Sequence, residues 1–318
     1  MRPASPPIDV FILGTPFCGS TLLGNVLNAH DSVSFLGELN RLQGFRQFEG
    51  PLHRDGQSVT QCALCATHDH YDCPVWTPDL VARLGESSPA AAFRTLREKW
   101  GGTVLVDGSK NAAWMRTILD ERGGADGVRV VHCVRSPLAF AASYKSHTGS
   151  PAWLGGAMWR DTVYDVIRTC AHYGGIPILT VQYEAFAAAP EPAARRVFDF
   201  LGLPYLPSAL EYWRTPLHPL GGNYGAYVRY PSLVAERAPP EWQRSTRRYA
   251  GKAFGGWTDD RWLVELSHGE VTDVLFNPAI ADAAALAGYH LTQELEAFAG
   301  RRPETLLAPP ANDTGGPV

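Results

Sequence analysis

Short apolar runs rich in β-branched residues alternate with stretches of helical periodicity along most of this chain, and that alternation constrains the fold more than any other feature. Asp9-Val-Phe-Ile-Leu13 is ended by Gly14, Thr103-Val-Leu-Val106 by Asp107-Gly108, and Val128–Val134 and Pro177–Tyr183 follow in the same manner. A shorter run sits at Ser32–Leu36. None alternates cleanly between apolar and polar residues, which suits strands buried on both faces, as in a parallel sheet. Between the runs, Leu22, Leu23, Val26 and Leu27 recur at helical spacing, residues 157–170 carry one apolar face, and Val197, Phe198 and Leu201 share another. Strand–helix–strand order of this kind predicts an α/β fold with a central parallel sheet. Ligands of such folds collect beyond the carboxyl ends of the strands, which directs attention to residues 14–21, 36–40, 107–112 and 135–143.

Charge and hydropathy narrow the function classes. The 318 residues hold 28 basic and 32 acidic side chains, a net charge of −4. Such a balance argues against wholesale electrostatic capture of nucleic acid. No apolar run approaches the about 18 residues that a membrane-spanning helix needs. Met1-Arg-Pro-Ala-Ser-Pro-Pro7 leads straight into a strand-like segment, with no secretory signal visible. The expectation is a soluble cytoplasmic protein with neither nucleic acid nor membrane as partner, its oligomeric state left open. Residues 1–302 are expected to form one domain with an insertion at about 40–100, where strand character is scarce and cysteine, histidine and glycine recur. The Pro-, Gly- and Ala-rich tail, 303–318, is expected to be disordered.

Gly14-Thr-Pro-Phe-Cys-Gly19-Ser20-Thr21 follows a strand and opens a helix. Its G-x-x-x-x-G spacing with two following hydroxyls is that of a phosphate-binding loop, whose backbone curls around an anion held by helix N-terminal amides. The ATPase version requires Lys where Ser20 stands, which argues against ordinary ATP hydrolysis. An ordinary glycine-rich turn is the plain alternative. Arg135 leaves the sheet at the end of the third long run, and Pro137 suits the first turn of the next helix. Ser143 lies about two turns along that helix on the same face. A guanidinium and a hydroxyl placed this way can grip a phosphate.

On these residues the chain resembles the sulfotransferases that use 3′-phosphoadenosine-5′-phosphosulfate (PAPS). Gly14–Thr21 is similar to the family's 5′-phosphosulfate loop, and Arg135-Ser-Pro with Ser143 to its 3′-phosphate element. Further similarity lies in Val106-Asp-Gly-Ser-Lys110, Tyr183-Glu184, Phe198-Asp-Phe-Leu-Gly202, His218-x-x-x-Gly222-Asn223 and Ala287-Gly-Tyr289. The resemblance implies a three-layer α/β/α fold of the P-loop NTPase type, and transfer of a sulfuryl group from PAPS to a hydroxyl or amine of a small-molecule or glycan acceptor. It implies cofactor contacts from Thr15, Gly19, Ser20, Thr21, Leu22, Arg135, Ser143 and Tyr183. One departure stands out: Phe17 replaces the loop's Arg or Lys, and Cys18 the following Ser. Lys110 is the candidate replacement cation. Glu38, within a Gly-Glu element like one that bears a catalytic Glu in some sulfotransferases, is the candidate base, with a pKa raised by burial. The plain alternative pairs Glu38 with Arg41. Two further readings are a nucleotide-binding protein that has lost transfer through Phe17, and a kinase-like phosphotransferase.

Cys62-x-x-Cys65 and Cys73, with His68 and His70 between, resemble part of a zinc ligand set. A disulfide, free thiols and zinc all stay open; a reducing compartment favours free thiols over zinc, and no residue is assigned as a metal ligand. His218 is read as positioning acceptor or cofactor, or as a satisfied structural histidine, and His132 as core.

Overall fold

The computed structural model describes residues 7–43, 62–65, 73–100, 102–230 and 260–301. Its backbone divides into two compact units. The first holds residues 1–135 and 165–258, the second 136–164 and 259–318.

The first unit is built on five parallel strands, β1 (Ile8–Gly14), β2 (Val33–Phe35), β3 (Val104–Lys110), β4 (Val128–Val134) and β5 (Ile178–Gln182), in the order β2-β3-β1-β4-β5. Helices flank the sheet, in the α/β architecture expected: α1 (Ser20–Asn28), α2 (Pro78–Glu86), α3 (Pro89–Trp100), α4 (Ala112–Arg122), α7 (Tyr183–Ala188) and α8 (Pro190–Leu201), with α5 (Pro137–Thr148) and α6 (Ala152–His172) between α4 and α7 in sequence. Burial runs unbroken along β3, so both its faces are covered. Val10, Ile12, Val104, Val106 and Val130 are fully buried at the sheet's centre, each such side chain stabilising the fold by about 1.5–3 kcal/mol. At the amino edge, Arg97 ties the end of α3 to β1 by hydrogen bonds to Ile8 O (2.5 Å) and to the Asp9 carboxylate.

One boundary differs from the sequence expectation. β3 does not stop at Val106 but runs on to Lys110. Asp and Gly are poor strand residues, yet here the neighbours supply what propensity lacks. Gly108 N donates to Gly37 O (2.7 Å), and Leu13 of β1 lies in register with Lys110. The extension carries Lys110 to the carboxyl edge, level with the last residues of β1.

Within the 40–100 region, the described residues hold a 3-10 turn (Leu39–Gln43), α2 and α3. His68 and His70, like the tail from 303, lie outside the described residues.

In the second unit, α5 is followed by α6 up to Tyr164 and by four helices, α9 (Trp262–Glu265), α10 (His268–Leu275), α11 (Pro278–Leu286) and α12 (Leu291–Arg301). Pro137 opens α5 behind the Ser136 N-cap. Ser267 and Glu270 form a reciprocal capping box on α10. Lys145 Nζ reaches Glu270 Oε1 at 2.7 Å, and Tyr289 packs edge-on against Trp159.

Candidate functional site

Three strand ends define the site in the first unit. β1 ends at Gly14, level with Cys133 of β4, while Leu13 is level with Lys110 of β3. Past Gly14 the chain turns through Thr15–Cys18 and enters α1 at Gly19. Gly19 is the α1 N-cap at φ 85°, a left-handed conformation that glycine tolerates and other residues rarely adopt. It offers no side-chain cap, and no acidic residue stands in the first turn, so the positive end of the helix dipole is left for an anion. A Cβ on Gly19 would stand 2.5 Å from the Tyr183 ring. Tyr183 thus lies directly over the loop, and the Arg135 guanidinium stacks on that ring at 5.6 Å. Arg135 is buried, and its Nη1 donates to Phe17 O at 3.4 Å. Phe17 itself holds φ 63°, unusual for a residue with a Cβ.

The loop hydroxyls differ in role. Thr15 Oγ1 is buried with no hydrogen-bond partner among the described residues. Thr21 Oγ1 accepts from Asn223 N (3.0 Å), which fastens the 221–223 turn to α1. Ser20 is buried in the first turn, with Leu22 half-buried beside it. Burial pushes the Cys18 thiol up, but the Cys133 thiol, the Lys110 charge and Ser20 together bring it down to about 7. Cys133, the donor to Cys18, is driven upward.

Glu38 stands at the same edge. β2 leads to Leu36, whose N–H donates to Val106 O (3.2 Å), and Glu38 N donates to Leu220 O (2.7 Å). Between them Gly37, at φ 83°, has no room for a Cβ, which would stand 2.4 Å from Leu220 O. The Glu38 carboxylate binds Lys110 Nζ through Oε1 (2.5 Å) and Arg41 Nε through Oε2 (2.6 Å). Burial alone would raise its pKa, but the two cations outweigh that and hold it below the ordinary 4.5. The sequence expectation of a raised value is thereby corrected: Glu38 is an ionised carboxylate clamped between two cations. Lys110 also donates to Gly108 O (3.1 Å), and its backbone sits at φ 59°.

Asp107 sets this arrangement, although in the sequence it reads only as the end of an apolar run and as part of the Val106–Lys110 similarity. Its buried carboxylate accepts from Ser109 N (2.8 Å), the Ser109 hydroxyl, Trp114 Nε1 (2.6 Å) and Leu39 N (3.3 Å). Burial pushes it up to about 6, with those donors opposing. Through Leu39 and through Asn40 N on Ser109 Oγ (3.0 Å), β3 holds the turn that carries Glu38 and Arg41.

Ser143 is buried within α5 and belongs to the second unit, whereas Arg135 belongs to the first. His132 is core, with burial lowering it to about 4. His218 lies apart from Thr21 in role: its Nδ1 faces Cys62, Cys65 and Cys73.

A family model described as the sulfotransferase family matches residues 7–207. Among solved structures, the sulfotransferase domain from the Synechococcus PCC 7002 olefin synthase is 18% identical, with a TM-score of 0.55, over 91% of this chain and 98% of that domain. The sulfotransferase domain from the curacin biosynthetic pathway is 15% identical, with a TM-score of 0.51, over 90% of this chain and 99% of that domain. At these identities the likeness concerns the fold. No curated protein matches the chain in sequence. With the family model spanning well over half its length, the chain belongs to the sulfotransferase family.

Proposed function

We propose that this protein transfers a sulfuryl group from PAPS to a hydroxyl or amine of a small-molecule or glycan acceptor. The observation that carries the reading is the uncapped α1 N-terminus under Tyr183 and Arg135, with the Glu38–Lys110 pair at the adjoining strand ends. The residues present suit the phosphosulfate. Gly19 lets the backbone turn into α1 beneath the Tyr183 ring, and Thr15 Oγ1 is a buried polar atom without a partner among the described residues.

In this reading, the amides at Gly19, Ser20, Thr21 and Leu22 and the Thr15 and Ser20 hydroxyls hold the 5′ end, while Arg135 offers charge-assisted bonds to phosphate and Tyr183 bears on the loop. PAPS supplies the sulfuryl group, whose bond to the phosphate oxygen breaks as the acceptor oxygen or nitrogen bonds to sulfur. Negative charge then grows on the leaving phosphate oxygen, which the loop amides and Lys110 stabilise. Lys110 so takes the part that Phe17 leaves vacant. In this reading the acceptor's proton passes to Glu38, an ionised carboxylate that must exchange away from Lys110 to receive it. A carboxylate of lowered pKa is a weak base, so its contribution depends on that exchange releasing it from the cation. The products are the sulfated acceptor, adenosine 3′,5′-bisphosphate and a proton.

Incubation with labelled PAPS and pools of candidate acceptors tests this. Label moving to an acceptor, and not moving with Lys110→Ala, supports the reading. Tight bisphosphate binding with no transfer to any pool would favour a nucleotide-binding protein without activity.

A further inference from the structure

A second cluster lies in the first unit, apart from the phosphate loop. Cys62 Sγ, Cys65 Sγ, Cys73 Sγ and His218 Nδ1 all fall within 4.8 Å of one another. The individual sulfur-to-nitrogen distances are 3.9, 3.3 and 3.5 Å. Zinc bonds of about 2.3 Å to sulfur and about 2.0 Å to nitrogen, at tetrahedral angles, place sulfur and nitrogen about 3.5 Å apart. The three measured separations bracket that value. None of the three cysteines is joined in a disulfide, so no such bond accounts for their convergence.

We propose that Cys62, Cys65, Cys73 and His218 bind a structural zinc ion. Four protein ligands complete a tetrahedron and leave no open position, as in structural rather than catalytic zinc sites. The surroundings orient the ligands. Trp76 N donates to Cys73 Sγ (3.3 Å), and Trp76 Nε1 donates to His218 O (2.6 Å), so one fully buried tryptophan fixes both a thiolate and the histidine's backbone. The cysteines supply the short-range pair, C-x-x-C, while the histidine arrives from 145 residues beyond Cys73. The site therefore staples two distant segments together.

What it staples bears on the proposed chemistry. Ala63 N donates to Pro219 O (2.8 Å), and Leu220, two residues past His218, bridges both Cys62 and Gly37. Leu220 O is the acceptor of Glu38 N, and Asn223 N reaches Thr21. Zinc at the cysteines thus fixes the strand of chain, 218–223, that buttresses Glu38 on one side and α1 on the other.

The test is metal analysis of the whole chain, expressed without a metal-affinity tag and passed through a desalting column. We expect about one zinc per chain, falling at least tenfold in Cys65→Ser and His218→Ala. Cobalt exchanged into the wild-type protein should give the strong thiolate charge-transfer absorption and intense visible bands of a tetrahedral site. Should the variants fail to fold, the cobalt spectrum of the wild-type protein decides. Folded wild-type protein lacking zinc and taking up no cobalt would overturn the site, as would a disulfide between any two of the three cysteines. These readouts involve no sulfuryl transfer, so they stand or fall independently of the enzymatic reading.

Discussion

At the residue scale, the Glu38 carboxylate and the Arg135 guanidinium carry the sharpest expectations. Glu38→Gln should lower kcat by about a hundredfold, with the affinity for adenosine 3′,5′-bisphosphate nearly unchanged. Initial rates beside calorimetric titration separate the two; an unchanged kcat would remove Glu38 from proton transfer. The lowered Glu38 pKa also has a sign for stability. Its folded value lies below its unfolded one, so its stabilising contribution is present above the unfolded value of 4.5 and is lost as pH falls through the folded one. Lys110→Ala removes the cation, so Glu38 should titrate at higher pH in that variant, read from carboxyl carbon NMR shifts. Arg135→Ala should cost about 2 kcal/mol of bisphosphate binding, roughly thirtyfold in Kd, while thermal unfolding of the free protein changes little. The sequence points to Glu38, Lys110 and Arg135 as candidates because each follows an apolar run, where an α/β sheet exposes its loops. It offers Arg41 as the plain alternative partner of Glu38, a pair that the structure contains, but gives Asp107 no role of its own. Nothing local in Asp107-Gly108 announces a carboxylate shared by Ser109, Trp114 and Leu39; those donors converge only when β3 pairs beside β1 and beside the chain following β2.

At the scale of elements, strands β1 and β4 were legible because unbroken apolar runs admit few alternatives, and α1 because its leucines and valine repeat at helical spacing after Ser20. The far half of β3 was not legible. Its Asp-Gly-Ser-Lys segment has weak strand propensity and is extended only because Gly37 and Leu13 present hydrogen-bonding partners. Asp107→Ala should therefore act beyond its own position. It leaves Trp114 Nε1 and the Leu39 and Ser109 amides without their shared acceptor, at a cost of about 3 kcal/mol, measurable by urea unfolding. The phosphate loop is equally an element-level device. Gly19→Ala puts a Cβ against the Tyr183 ring at a left-handed position, so bisphosphate affinity should fall at least about tenfold.

For the molecule as a whole, the small acidic excess said little about its ligand. In the proposed reading an anion would be held by helix amides, Arg135 and Lys110, all local to the carboxyl edge of one sheet, so the overall charge does not decide its binding. The cysteine cluster shows the complementary point. C-x-x-C was visible in the sequence, but its fourth partner, His218, belongs to a segment brought in by the fold and could not be assigned from spacing. Removing zinc with a chelator should lower Tm, since a ligand at about a thousandfold its Kd contributes about 4 kcal/mol to the folded state. The most direct measurement of the central claim is nucleotide titration of the wild-type protein by calorimetry, with adenosine 3′,5′-bisphosphate and ATP compared side by side. We expect saturable binding of the bisphosphate, strongly weakened by Arg135→Ala, and little or none of ATP. Binding of ATP without binding of the bisphosphate would contradict the assignment of this site to PAPS.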